Sequence, residues 1–168
     1  MNRDTHRSAV YAAEEQVAAA LARGGSVDFF GSRLTLPVER RFADQESVQR
    51  YVDAVLQLAS VRLAWPDAAP VLVRERRGVR RATYADAVIS LPLAGLADQR
   101  WAAREMVVLH ELTHHLVPDD PPHGSNFCAG LLGLLGLVIG PEVELLLRAS
   151  LDSAGVPVAA RRWARVAP

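Results

Sequence analysis

The sequence predicts an α+β fold in one domain, residues 1–168, and three observations predict it. Apolar residues recur at three- and four-residue spacing in several stretches, the mark of amphipathic helices. Between the early and late helical stretches lie short runs of β-branched and aromatic residues bounded by Gly and Pro, the mark of strands. The chain has 168 residues, half of them hydrophobic, which suits one domain with a real core.

Residues from about Arg7 to Arg23 are expected to form the first helix. Val10, Ala13, Val17 and Leu21 share one face, and Gly24-Gly25 ends the run. Val27 to Leu36, with Gly31-Ser32 in its middle, reads as a hairpin or a bent strand. Asp44 or Ser47 caps a second helix running to about Ser60, with Val48, Val52, Val55 and Ala59 as its buried stripe. Trp65 to Pro70 is a loop. Val71 opens a strand that continues to Arg77, Gly78 turns the chain, and Val79 to Ala85 returns as its partner. Asp86 to Pro92 reads as a strand at or near a sheet edge, because Pro bounds it.

A continuous helix follows from Trp101, with Asp98 as its cap. Pro118 stops it near Val117. Ser125 caps the next helix, starting near Asn126. In it Gly130, Gly133 and Gly136 each cost about 1 kcal/mol relative to Ala. Close packing against the preceding helix is the expected offset. Gly140-Pro141 breaks that run. Glu142 to Ser153 is a last helix with Val143, Leu146, Leu147 and Leu151 buried, closed by Gly155. The Arg-rich tail from about residue 156 is expected to be loosely ordered.

The chemistry concentrates in His110-Glu111-Leu112-Thr113-His114, with His123 just downstream. On a helix, residues four apart lie on one face, a turn apart. His110 and His114 can thus aim two imidazole nitrogens at one zinc ion. Glu111, rotated around the helix, can reach a water on the open side of the metal as general base. Four of the five histidines fall between His110 and His123. The Asp119-Asp120-Pro121-Pro122 turn can swing His123 back as a third ligand, and catalytic zinc takes three protein ligands plus water. His115 points to another side of the helix and reads as an outer or structural residue. Asp119 and Asp120 read as a solvated turn, or as carboxylates that orient a ligand histidine through its second nitrogen. His115, Tyr84 and Asn126 are candidates for stabilising an oxyanion.

Bulk properties narrow the partners. Formal net charge is zero, which argues against bulk attraction to nucleic acid or an anionic membrane. The single Cys128 excludes an internal disulfide framework and reads as a buried small hydrophobe in a reducing compartment. The start of the chain is polar with no apolar run behind it, and the stretch from Gly124 to Pro141 is too short in its apolar part to span a membrane. A cytoplasmic protein is therefore expected.

With His123-Gly124-Ser125-Asn126-Phe127 following the first motif, the sequence resembles zincin metallopeptidases of the SprT-like and WLM kind. Those carry H-E-x-x-H, a short connection, and then H-G-x-x-F with the third His as ligand. The resemblance covers about residues 86 to 135 and is specific at the motif. The whole chain also looks like a small family of actinobacterial metallohydrolases of this length. The resemblance implies a zincin-like fold, a small mixed sheet beside the active-site helix. It implies zinc on His110, His114 and His123, Glu111 as base, and a peptide or protein substrate. No Cys-rich zinc ribbon follows, and the metzincin spacing is absent.

Two other functions compete with a peptidase. Arg74, Arg76, Arg77, Arg80 and Arg81, with Arg161-Arg162-Trp163-Ala164-Arg165, could serve a DNA-associated protease of SprT-like type. The neutral chain favours a solvated hairpin and tail instead. A non-catalytic zinc module would need a fourth protein ligand, for which Cys128 is poorly placed.

Overall fold

The computed structural model describes residues 3–77, 81–93, 101–119 and 121–160. Asp98, Arg80, Asp120 and the arginines from 161 onward, all weighed above, lie outside the described residues. The architecture is α+β. The described residues fall into two compact units, one from residues 3–39 and 118–160, the other from residues 40–117. No helix among them is long and apolar enough to cross a membrane.

The first unit holds three helices and a hairpin. Helix α1, Arg7–Arg23, has the expected bounds, and Val10, Ala13, Val17 and Leu21 are buried along it. Gly24 and Gly25 both take positive φ, the left-handed exit that glycine makes cheap. Strands β1, Ser26–Phe29, and β2, Ser32–Thr35, pair antiparallel, with Phe29 opposite Ser32. The two-residue loop is Phe30-Gly31, both at positive φ, as the right-handed strand twist demands. Helices α5, Ser125–Val138, and α6, Pro141–Ser153, complete the unit, and α6 packs on both α1 and α5. At Gly136 a Cβ would meet the Glu144 carboxylate of α6. The close approach at this glycine is therefore to α6.

In the second unit, helix α2 spans Gln45–Gln57. Asp44 and Ser47 act together rather than as alternatives. The Asp44 carboxylate accepts from Ser47 N–H at 2.7 Å, and Ser47 Oγ accepts from Asp44 N–H at 3.2 Å. The helix ends earlier than expected, because Leu58 leaves helical dihedrals (φ −59°, ψ 131°). A short α3, Ala59–Ala64, follows, and Leu56 rather than Ala59 completes the buried stripe.

The sheet corrects two expectations. Strands β3, Leu72–Glu75, β4, Thr83–Ala85, and β5, Val88–Leu91, lie in the order β3-β5-β4. β3 and β4 do not pair with each other. β5 was expected at or near an edge and is the central strand, parallel to β3 and antiparallel to β4. Its Ile89 and Leu91 are fully buried, and α4 packs on β4.

The cause is a tight turn with no glycine in it. Asp86 (φ 49°) and Ala87 (φ 58°) join Ala85 to its partner Val88. Both central residues at positive φ define a type I′ turn, which favours Gly at the second position. A left-handed Ala costs roughly 1–2 kcal/mol. Ala87→Gly is therefore expected to stabilise the fold by about 0.5–1 kcal/mol after the added freedom of the unfolded chain. The check is thermal unfolding, with a rise of about 1–4 °C expected for a chain of this size.

Candidate metal centre

Helix α4, Glu105–Leu116, carries the H-E-x-x-H motif. It begins later than the sequence suggests. A single 3-10 turn at Trp101–Ala103 comes first, and then Arg104 is extended and bridges to Arg41. Phe42 N–H donates to the Ala103 carbonyl, and Glu105 N–H to the Arg40 carbonyl. This bridge claims backbone groups that a continuous helix would have used. The end is as expected. Val117 N–H bonds the Thr113 carbonyl, and Pro118 cannot continue the ladder.

The first turn is anchored by a buried acid. Glu105 is 1% exposed. Its carboxylate accepts from Tyr51 Oη at 2.5 Å, from Arg40 Nη1 at 2.8 Å and from Arg40 N–H at 3.0 Å. A carboxylate at a helix start also meets the positive end of the helix dipole. Burial, and then the Glu105 carboxylate beside it, push the Tyr51 hydroxyl well above its ordinary range. Sequence reading missed this anchor, because Glu105 lies 65 positions from Arg40 and 54 from Tyr51.

The last turn is anchored as well. His115 Nε2 lies 2.7 Å from the Ala69 carbonyl, an acceptor, so Nε2 carries the proton and donates. His115 Nδ1 lies 2.9 Å from Tyr84 Oη on β4, and in the neutral ring it accepts from that hydroxyl. His115 is thus a structural residue in the second sense anticipated. Its one proton and the Tyr84 proton are both engaged, which weakens the case for either as an oxyanion donor.

Between these anchors lie His110 and His114. Their Nε2 atoms are 3.2 Å apart. Two nitrogens bound to one tetrahedral zinc at ~2.0–2.1 Å stand about 3.3–3.4 Å from each other. The pair therefore already has the spacing of two zinc ligands. His110 is 3% exposed and Glu111 4%. Glu111 follows His110 directly, so it projects about 100° around the helix from it.

His123 belongs to the first unit and is 4% exposed. Its Nδ1 lies 2.7 Å from Asp4 Oδ2, and the rings of Tyr11 and Phe127 stand 5.3 and 5.1 Å from its own. The loop that carries it is set by Asp119. That carboxylate accepts from Phe127 N–H at 3.2 Å and from Asn126 Nδ2 at 3.3 Å. It thus supplies the cap of α5 that Ser125 was expected to give. A Cβ at Gly124 would come 2.5 Å from Asp119 Oδ2 and 3.0 Å from the Pro121 carbonyl, so a larger residue would displace the capping carboxylate. Asn126, a third oxyanion candidate, is tied to Asp119 instead. The carboxylate on a histidine's second nitrogen is Asp4, not Asp119, and nothing local in the sequence marks it.

Cys128 is buried as expected. Burial first, with the acidic Glu14, Asp119 and Asp4 adding to it, pushes its thiol up to about 12. It is a packed thiol and not a thiolate donor.

Comparison with protein-family models, curated proteins and solved structures finds no match.

Proposed function

We propose that the chain is a zinc-dependent hydrolase and, within that class, a peptidase of the zincin kind. The observation that carries this reading is the 3.2 Å approach of the His110 and His114 Nε2 atoms, with the Glu111 carboxylate one residue along the same helix. In this reading His123 is the third ligand, as the H-G-x-x-F resemblance implies. The donor set favours zinc in an open site. Three imidazoles and a vacant fourth position are a catalytic pattern, whereas closed structural sites use four protein ligands, often Cys. Cys128, held as a thiol, does not extend the set.

Bound zinc supplies Lewis acidity, polarising a carbonyl and acidifying a water. Glu111 takes the proton of the attacking water and returns it to the leaving amine. An extended peptide fits the outer edge of β4, the strand packed on α4. The opposite margin of the sheet is taken. Val73 N–H and Glu75 N–H on β3 donate to the side-chain oxygens of Gln49 and Gln45. We do not favour a DNA-associated role for Arg74–Arg81, since Arg76 bonds Thr83 Oγ1 and the net charge is zero.

The test joins metal analysis to a peptide-library digest. We expect one zinc per chain, and cleavage that a chelator abolishes and zinc restores. His114→Ala should lose the metal. A protein that retains no zinc, or cleavage indifferent to the chelator, would overturn the proposal.

A further inference from the structure

We infer that the N-terminal arm is a working part of the proposed metal site, with Asp4 as the positioning residue for His123. The inference rests on the zinc reading above and adds a residue to it that no motif contains.

A histidine that binds metal through one nitrogen must be neutral, with its proton on the other. An acceptor at that other nitrogen fixes the tautomer and the ring's orientation, and makes the ligand nitrogen a better donor. Asp4 Oδ2, 2.7 Å from His123 Nδ1, is such an acceptor. The bond directs the proton to Nδ1 and leaves Nε2 as the metal donor. Tyr11 and Phe127 flank the ring, and the bond to Asp4 opposes its rotation about the side-chain bond.

Two features separate this contact from an incidental ion pair. Both partners are withdrawn from water, with side chains 5% and 22% exposed. The second carboxylate oxygen, Asp4 Oδ1, is buried and has no hydrogen-bond partner among the described residues. A buried, half-satisfied carboxylate opposes folding. Unsatisfied polar atoms of this kind call for an explanation and accompany functional sites. Asp4 also precedes α1 and stands outside every helix and strand. Its distinctive contact is the one to a candidate ligand 119 positions away.

The experiment measures zinc affinity by competition with a chromophoric chelator, in wild type, Asp4→Ala, Asp4→Asn and His123→Ala. The circular dichroism of each zinc-free form reports folding. Asp4→Ala is expected to weaken zinc binding by about 10–100-fold, the usual effect of losing an outer-shell partner. Asp4→Asn keeps an acceptor for the Nδ1 proton and should recover most of that loss, which a role in folding alone would not predict. Cobalt substituted for zinc gives a second readout, since its visible spectrum should change in Asp4→Ala and not in Asp4→Asn. A folded Asp4→Ala that binds zinc as tightly as wild type would overturn the inference. So would equal losses in the Ala and Asn variants. If His123→Ala weakens zinc while both Asp4 variants match wild type, this inference alone fails. If wild type binds no zinc, or His123→Ala binds it undiminished, the three-histidine reading fails first.

Discussion

Glu111→Gln is expected to keep its zinc and lose its turnover. Gln matches Glu in shape and volume, so the buried site of a residue 4% exposed is not opened. His110 and His114 themselves are unchanged. The variant loses the negative charge and the capacity to take a proton. General-base catalysis contributes about 10²–10⁴-fold, so kcat should fall by that factor, or about 3–5 kcal/mol in the barrier. Zinc stoichiometry and thermal stability should stay near wild type. Since the substrate's contacts elsewhere are unchanged, KM should move little. Full activity in this variant would remove Glu111 from the mechanism. Loss of zinc would instead make Glu111 part of the ligand field, a different site from the one proposed.

How far the sequence revealed this arrangement depends on how local each signal was. The bounds of α1 were legible because apolar spacing and Gly24-Gly25 act within a few residues. The H-E-x-x-H pair was legible for the same reason, since helix geometry alone brings its nitrogens together. The end of α2 was not, because Leu58 leaves the helix with no Gly or Pro to mark it. Sheet order was misread at Asp86-Ala87. A type I′ turn built from Asp-Ala lacks its usual glycine, so the β4–β5 hairpin was hidden and β5 was placed at or near an edge. Asp4 and Glu105 lay beyond reach altogether. Each acts on a partner more than fifty positions away, and pairing over such a separation is decided by packing, not by neighbours in the chain.

Glu105→Ala is expected to be the most destabilising of the substitutions considered, and to act on the site from its far end. Truncation leaves Tyr51 Oη and Arg40 N–H without their acceptor. Both groups are only part-buried, so each costs near the low end of the about 1–3 kcal/mol of a buried orphan. The Arg40 side chain is largely exposed and can turn to water, so its Nη1 contact adds little. The helix dipole loses a favourable charge worth about 0.3–1 kcal/mol. A total of about 2–4 kcal/mol follows, below the full penalty of breaking a wholly buried pair. For a chain of this size that is a fall in Tm of roughly 4–16 °C. The alkaline limb supplies a signature of its own. In the folded protein the Tyr51 proton is held above its unfolded value, so the stability it confers is present below about pH 10 and is lost as pH rises beyond it. Without Glu105 that loss should shrink, because one cause of the raised value is gone. Tyr51→Phe should cost less than Glu105→Ala, and the two together less than their sum, since they share one hydrogen bond. An unchanged Tm in Glu105→Ala would mean that α4 is held by its apolar face alone, and that the acid at its first turn does not set where the two histidines stand.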